Sequence, residues 1–127
     1  AAGAKRVVTL PVSAPFHCSL MRPAAEALAP AIAAAHISPP AIPVINNVDV
    51  AAASDPAAIR DALLRQIYSP VRWVEVIEAM AARGVTHVVE CGPGKVLAGL
   101  TKRIASELDS LFVQDPASLR QALAALA

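Results

Sequence analysis

The sequence predicts an α/β fold built on a parallel sheet, and three observations carry that expectation. Short β-branched or aliphatic runs alternate with longer helical stretches, in the order strand, helix, strand, helix, helix, strand, helix, strand, helix. Three helix starts share one pattern, a small polar cap followed by proline: Asp55-Pro56, Ser69-Pro70 and Asp115-Pro116. The composition is aliphatic, with 56% hydrophobic residues, only 3% aromatics and 29 alanines among 127 positions. The core must therefore be made from Ala, Val, Leu and Ile.

The elements follow in chain order. Val7-Val8-Thr9-Leu10-Pro11-Val12 reads as a short strand that Pro11 ends or places at an edge. Ser13 to Ser19 is a loop holding Pro15 and His17. From Met21 to Ala35 the pattern is helical, with Leu20, Ala24, Leu28 and Ile32 four apart on one face, and Pro30 is expected to kink or break it. Ile42-Pro43-Val44-Ile45 reads as a second strand, closed by Asn46-Asn47. Helices are expected at about 56–67, 70–82 and 116–126, with Gly84 as the residue free to take a left-handed stop after the second. Thr86-His87-Val88-Val89-Glu90 is a buried-type strand, Cys91-Gly92-Pro93-Gly94 a tight turn, Lys95 to Ser106 a helix and Leu111-Phe112-Val113 a last short strand.

Composition also excludes function classes. A chain with 17% charged residues and this much aliphatic surface collapses rather than staying disordered. No stretch of about 18 residues is apolar enough to read as a membrane span. A net charge of +1 supplies no electrostatic reason to bind nucleic acid or acidic lipid. Two cysteines, Cys18 and Cys91, form neither a disulfide framework nor a metal-ligand spacing, and their apolar contexts suit a reduced, cytoplasmic protein. The first residues do not read as a signal peptide, and the chain opens without methionine, so a piece of something longer is expected.

Three histidines are candidates for chemistry. His36 ends a helix, where a cation complements the dipole, and His87 lies in a strand. His17 stands in a loop between a strand and a helix, where bases of α/β folds are found, although a loop histidine without a role is the other reading. Cys91 to Lys95 invites a phosphate-loop reading that fails, because Val96 follows the lysine where Ser or Thr is needed. A strand-to-helix turn is the better account, with a helix N-terminus facing a shared cleft left open. No Gly-x-Ser-x-Gly elbow occurs, and Cys18, adjacent to His17, points away from it in extended chain. The residues alone describe half of an acyl-transfer site.

Four blocks of this chain resemble the malonyl-CoA:acyl carrier protein transacylase family. They are Leu10 to Met21 (LPVSAPFHCSLM), Pro43 to Asp49 (PVINNVD), Ile59 to Trp73 (IRDALLRQIYSPVRW) and Glu90 to Leu97 (ECGPGKVL). They recur in the family in this order and spacing, and the resemblance runs from about Ala2 to the C-terminus. It implies a ping-pong transfer of malonyl from coenzyme A through a seryl ester to the phosphopantetheine thiol of acyl carrier protein, in fatty-acid biosynthesis. The family's catalytic histidine corresponds to His17, and the glutamine whose backbone carbonyl holds its second nitrogen corresponds to Gln66. Phe16 and Val96 are implied to lie on the substrate side. No metal and no cofactor is implied, malonyl-CoA and the carrier protein being substrates.

The same resemblance implies a fold: the C-terminal part of an acyltransferase α/β-hydrolase-like parallel sheet (13–127), preceded by the last strand of a small ferredoxin-like subdomain (1–12). The family's serine elbow, oxyanion-hole glutamine and malonyl-binding arginine lie upstream and have no counterpart here. A C-terminal fragment, inactive alone and partnered by the N-terminal part of the same enzyme, is therefore expected. Ala14-Pro15-Phe16-His17 resembles the His-Ala-Phe-His of malonyl-using polyketide synthase domains rather than the Tyr-Ala-Ser-His of methylmalonyl-using ones. Two other readings are a polyketide synthase acyltransferase domain and a non-catalytic module that kept the fold; Asn46-Asn47-Val48-Asp49 favours the discrete enzyme. Lys5, Arg6, Lys102 and Arg103 either meet an acidic carrier protein or are simply solvated.

Overall fold

The computed structural model describes residues 3, 5–9 and 11–127. A 3-10 turn at Ser19–Met21 leads into α1 (Arg22–Ala34), followed by α2 (Pro56–Arg65), α3 (Trp73–Ala82), β1 (His87–Cys91), α4 (Val96–Ile104), β2 (Asp109–Val113) and α5 (Pro116–Leu126). The chain is α/β with a small parallel sheet: β1 and β2 pair in parallel from His87 opposite Asp109 to Cys91 opposite Val113. α4 is the crossover between them, a connection that parallel strands require.

The caps explain why the helices start where they do. Asp55 accepts a hydrogen bond from the Ala58 amide at 2.9 Å, and Pro56 occupies the first turn. Asp115 and Ser118 form a reciprocal capping box at α5. Gly84, at φ +80°, stops α3 while its amide and that of Val85 return to Ala81 and Met80.

The core centres on Ile77, Ala105 and Leu108, with Trp73, Met80, Ala81, Val88 and Ile104 against them. α3 and α4 thus meet beside the sheet, and α5 packs on β2. α1 and α2 form a second pair that closes on the small buried Ala25 and Ala62. Arg60 of α2 donates to the carbonyls of Ile32 (3.3 Å) and Ala35 (2.9 Å), capping the end of α1 while tying the pair together.

Several expectations need correction. No strand forms among the described residues of Val7–Val12, and Leu10 lies outside the described residues. Val7 and Val12 are 84% and 68% exposed; with no strand alongside, there is nothing to satisfy an extended backbone there. Ile42–Ile45 likewise reduces to one antiparallel bridge, Ile45 to Ala52, because Pro43 lacks a donor. α1 is not broken at Pro30 but continues to Ala34: Glu26, whose carbonyl loses its partner, is exposed and can meet water. Its forecast face is also displaced, since Leu20 and Leu28 are exposed and Ala25 is the buried position. α3 begins at Trp73 rather than residue 70, because the Arg72 amide bonds the Asn47 carbonyl at 3.1 Å and holds the chain out of the helix. Cys91, read as the first residue of the tight turn, instead ends β1 and is exposed.

Among the described residues, no helix is long and apolar enough to cross a membrane, and no cluster of His, Cys, Asp and Glu stands where it would hold a metal ion.

Candidate active site

His17 is presented by a tightly folded loop. The Phe16 amide donates to the Ala14 carbonyl (2.9 Å), the Cys18 thiol to the Pro15 carbonyl (3.1 Å), and the Met21 amide to the Cys18 carbonyl (2.9 Å). The thiol is thereby committed to the loop. Between these contacts His17 adopts φ +57°, a left-handed conformation that costs a non-glycine residue about 1–2 kcal/mol. Such strain persists only where the surroundings enforce it.

The imidazole meets the end of α2. Its Nδ1 lies 2.9 Å from the backbone carbonyl oxygen of Gln66. A carbonyl can only accept, so Nδ1 carries a proton, and in the neutral ring the lone pair lies on Nε2. Gln66 is the C-cap of α2, and its carbonyl is among the last four that the helix cannot satisfy internally. Were the helix to continue, the amide of residue 70 would claim that oxygen. Residue 70 is proline and has no amide hydrogen. The sequence pattern that suggested a helix start at Ser69-Pro70 instead keeps a carbonyl free for His17.

A second contact bridges the same two segments: the Arg22 guanidinium sits 4.3 Å from the centroid of the Tyr68 ring. Neither residue carried a recognisable signal in the sequence. Nor did Arg65, one residue before Gln66, whose fork binds both oxygens of Asp49 at 2.7 Å while its Nε donates to Asp61 at 2.6 Å. Those hydrogen bonds hold the Asp49 carboxyl below the usual carboxylate range and push Arg65 further up. Arg72 likewise holds Glu75 low.

Two apolar clefts, of about 340 and about 470 Å³, share Ile45 and Asn47 in their walls, and His17 lines neither. Gln66 lines the first, together with Val44, Ile59 and Leu63; Trp73, Met80 and Leu97 line the second. Phe16 is 56% exposed beside His17. Val96 opens α4, is 71% exposed and lines neither cleft. The structure thus brings His17 and Gln66 into contact and leaves Val96 on another element. Glu90 takes the α4 amide of Ala98 at 2.8 Å, so the helix start after Gly92-Pro93-Gly94 is already served by a carboxylate. His36 bonds Ser38 (3.1 Å) and His87 bonds Thr86 (2.9 Å), and neither joins His17.

No family model matches the chain. Over 123 residues, 97% of its length, it is 56% identical to a "Malonyl CoA-acyl carrier protein transacylase" of Salmonella typhimurium. This chain is homologous to the malonyl CoA-acyl carrier protein transacylases. It spans about two fifths of the length of the curated transacylases it matches, corresponding to their C-terminal portion. Its structure superimposes on the acyl-carrier-protein S-malonyltransferase of Burkholderia pseudomallei with a TM-score of 0.90 and 60% identity, covering 96% of this chain and 40% of that one. It is also similar to a malonyl-transacylase in complex with a type II PKS acyl-carrier protein, at a TM-score of 0.92 and 50% identity over 98% of this chain and 40% of that one. With 123 of 127 residues matched to a transacylase, the loop of His17 and the end of α2 both fall inside the homology.

Proposed function

We propose that this chain supplies the general base of a malonyl-CoA:acyl carrier protein transacylase, an acyltransferase of fatty-acid biosynthesis acting in the cytoplasm. The observation that carries the reading is the 2.9 Å contact from Nδ1 of His17 to the Gln66 carbonyl, which turns Nε2 into a base of fixed orientation.

In the first half-reaction Nε2 takes the hydroxyl proton of a serine as its oxygen attacks the malonyl thioester carbonyl. The tetrahedral intermediate collapses, the coenzyme A thiolate leaves, and the imidazolium returns the proton to it. In the second half Nε2 takes the proton of the phosphopantetheine thiol, whose sulfur attacks the seryl ester and restores the serine with that proton. While Nε2 is protonated, the Gln66 carbonyl and the negative end of the α2 dipole face the charged ring. A neutral carbonyl stabilises imidazolium less than a carboxylate would, which suits a thioester, a better acyl donor than an amide.

On this reading the serine lies in the part of the enzyme beyond this chain, and residues 1–127 alone do not transfer malonate. Residues 13–127 belong to the large α/β acyltransferase domain, and 1–12 add the last strand of a ferredoxin-like subdomain once its neighbouring strands are present. Phe16 and Val96 border the substrate, malonyl-CoA and acyl carrier protein are the partners, and no cofactor takes part. A second reading, in which the acceptor is a polyketide carrier protein, is favoured by the similarity to the transacylase complexed with one. The chemistry is the same, and the ratio of kcat/KM for the two carrier proteins separates them.

Replacing His17 by Ala in the full-length enzyme lowers kcat/KM for malonyl transfer about 10²- to 10⁴-fold with the circular dichroism spectrum unchanged. A rate within a few-fold of the parent's overturns the proposal.

A further inference from the structure

The carbonyl that orients His17 sits in an irregular connection, residues 66–72, between α2 and α3. The Ile67 amide, which shares a peptide plane with the Gln66 carbonyl, donates to the Leu64 carbonyl at 3.3 Å, and the Tyr68 amide to that of Arg65 at 3.3 Å, so the plane follows the last turn of α2. Both ends of the connection are in turn held by one loop. At the first end, Arg65 is gripped bidentately by Asp49. At the other, the Arg72 amide donates to the Asn47 carbonyl at 3.1 Å. Asn47 and Asp49 lie in the same turn, 46–51, which is built to be stiff. The Asn46 side chain accepts from the amides of Val48 (3.2 Å) and Asp49 (2.7 Å) and donates to the Ala51 carbonyl (2.9 Å). The backbone adds Asn46 to Ala51 (3.0 Å) and Val50 to Asn46 (3.1 Å). Val50, a β-branched residue, is driven to φ +58°.

We propose that Asp49 is a positioning residue: through Arg65 it anchors the 46–51 turn to the Gln66-bearing connection and so fixes the imidazole of His17 in one tautomer and orientation. This rests on His17 being the base. Both members of the Asp49–Arg65 pair are about one-third exposed, so the pair adds little to stability. Its two-point fork and the strained turn behind it instead define a geometry, which a site tolerating little displacement needs.

The test uses the full-length enzyme with ¹⁵N-labelled histidine. Asp49→Asn is expected to lower kcat about ten-fold or more while KM for malonyl-CoA changes less than about two-fold. Its His17 ¹⁵N signals shift from a single Nδ1–H tautomer toward a mixture. Asp61→Asn removes the partner of Arg65 that does not reach the turn, and leaves both readouts at the parent's values. In a His17→Ala background, Asp49→Asn costs nothing more. Should Asp49→Asn not fold, Arg65→Lys, which keeps the charge and loses the fork, carries the same expectation. Parent-like kcat and tautomer in the Asp49 variant, or equal loss in the Asp61 variant, overturn the inference. Full activity in His17→Ala would instead sink the function on which it rests, while the tautomer signal would still report on the clamp.

Discussion

At the scale of single residues, the site depends on atoms that a list of chemical side chains does not display. His17 is visible in the sequence because it is an imidazole after a strand-like run. Its partner is a peptide carbonyl, which every residue has, so no residue type marks it. Gln66 emerged from the family resemblance, and the residue that frees its oxygen, Pro70, is legible only once the register of α2 is known. Phe16 allows a prediction at the same scale. On the proposed function its bulk beside His17 would crowd an α-methyl branch on the acyl group, and one methyl is discriminated by only about 1–3 kcal/mol. Phe16→Ser in the full-length enzyme should therefore raise the ratio of kcat/KM for methylmalonyl-CoA to that for malonyl-CoA roughly 10-fold or more. Competition assays with both thioesters read that ratio, and an unchanged value removes Phe16 from specificity.

At the scale of elements, local chemistry and long-range contact divide the outcomes. α2 and α5 start where Asp55 and Asp115 cap them, and α3 stops at Gly84, all readable from a few adjacent residues. The start of α3 was not readable, because the bond from the Arg72 amide to Asn47 spans 25 positions. Gly84 gives a measurable consequence. A Cβ there would meet no atom within 4 Å, so the cost of Gly84→Ala is the left-handed backbone alone, about 1–2 kcal/mol. A lowered urea midpoint with an unchanged slope checks this; a midpoint equal to the parent's refutes it.

Across the whole molecule, three surface carboxylates held low in the folded state add a small, pH-dependent contribution to stability. Asp49 is held by Arg65, Glu75 by Arg72, and Asp115 by the Ser118 amide and hydroxyl. Because folding lowers these values, their contribution is complete above the ordinary carboxylate values of 3.8 and 4.5. It disappears as pH falls through the lowered folded-state values. Urea midpoints should hold steady from about pH 7 to 5 and fall toward pH 3, less steeply in an Asp49→Asn, Glu75→Gln, Asp115→Asn variant. Equal slopes in parent and variant would exclude these three groups. The surface also bears on the whole. Val7, Leu20, Ile42 and Val96 are each at least 71% exposed, and a parallel sheet, normally covered on both faces, has no fully buried residue in either strand. That pattern supports the proposal that further parts of an enzyme pack against this one. The sequence by itself determined the α/β class, the capped helices, the aliphatic core and His17 as the residue to watch, because each is set by neighbours within a turn or two of chain. Only the tertiary structure decided that the described residues of Val7–Val12 form no strand, that Ile42–Ile45 keeps a single bridge and that α3 starts late. It alone decided, too, that one turn grips both ends of the connection carrying Gln66. Strand pairing and the aim of a carbonyl depend on groups tens of residues away, and no local pattern records where the chain will bring them.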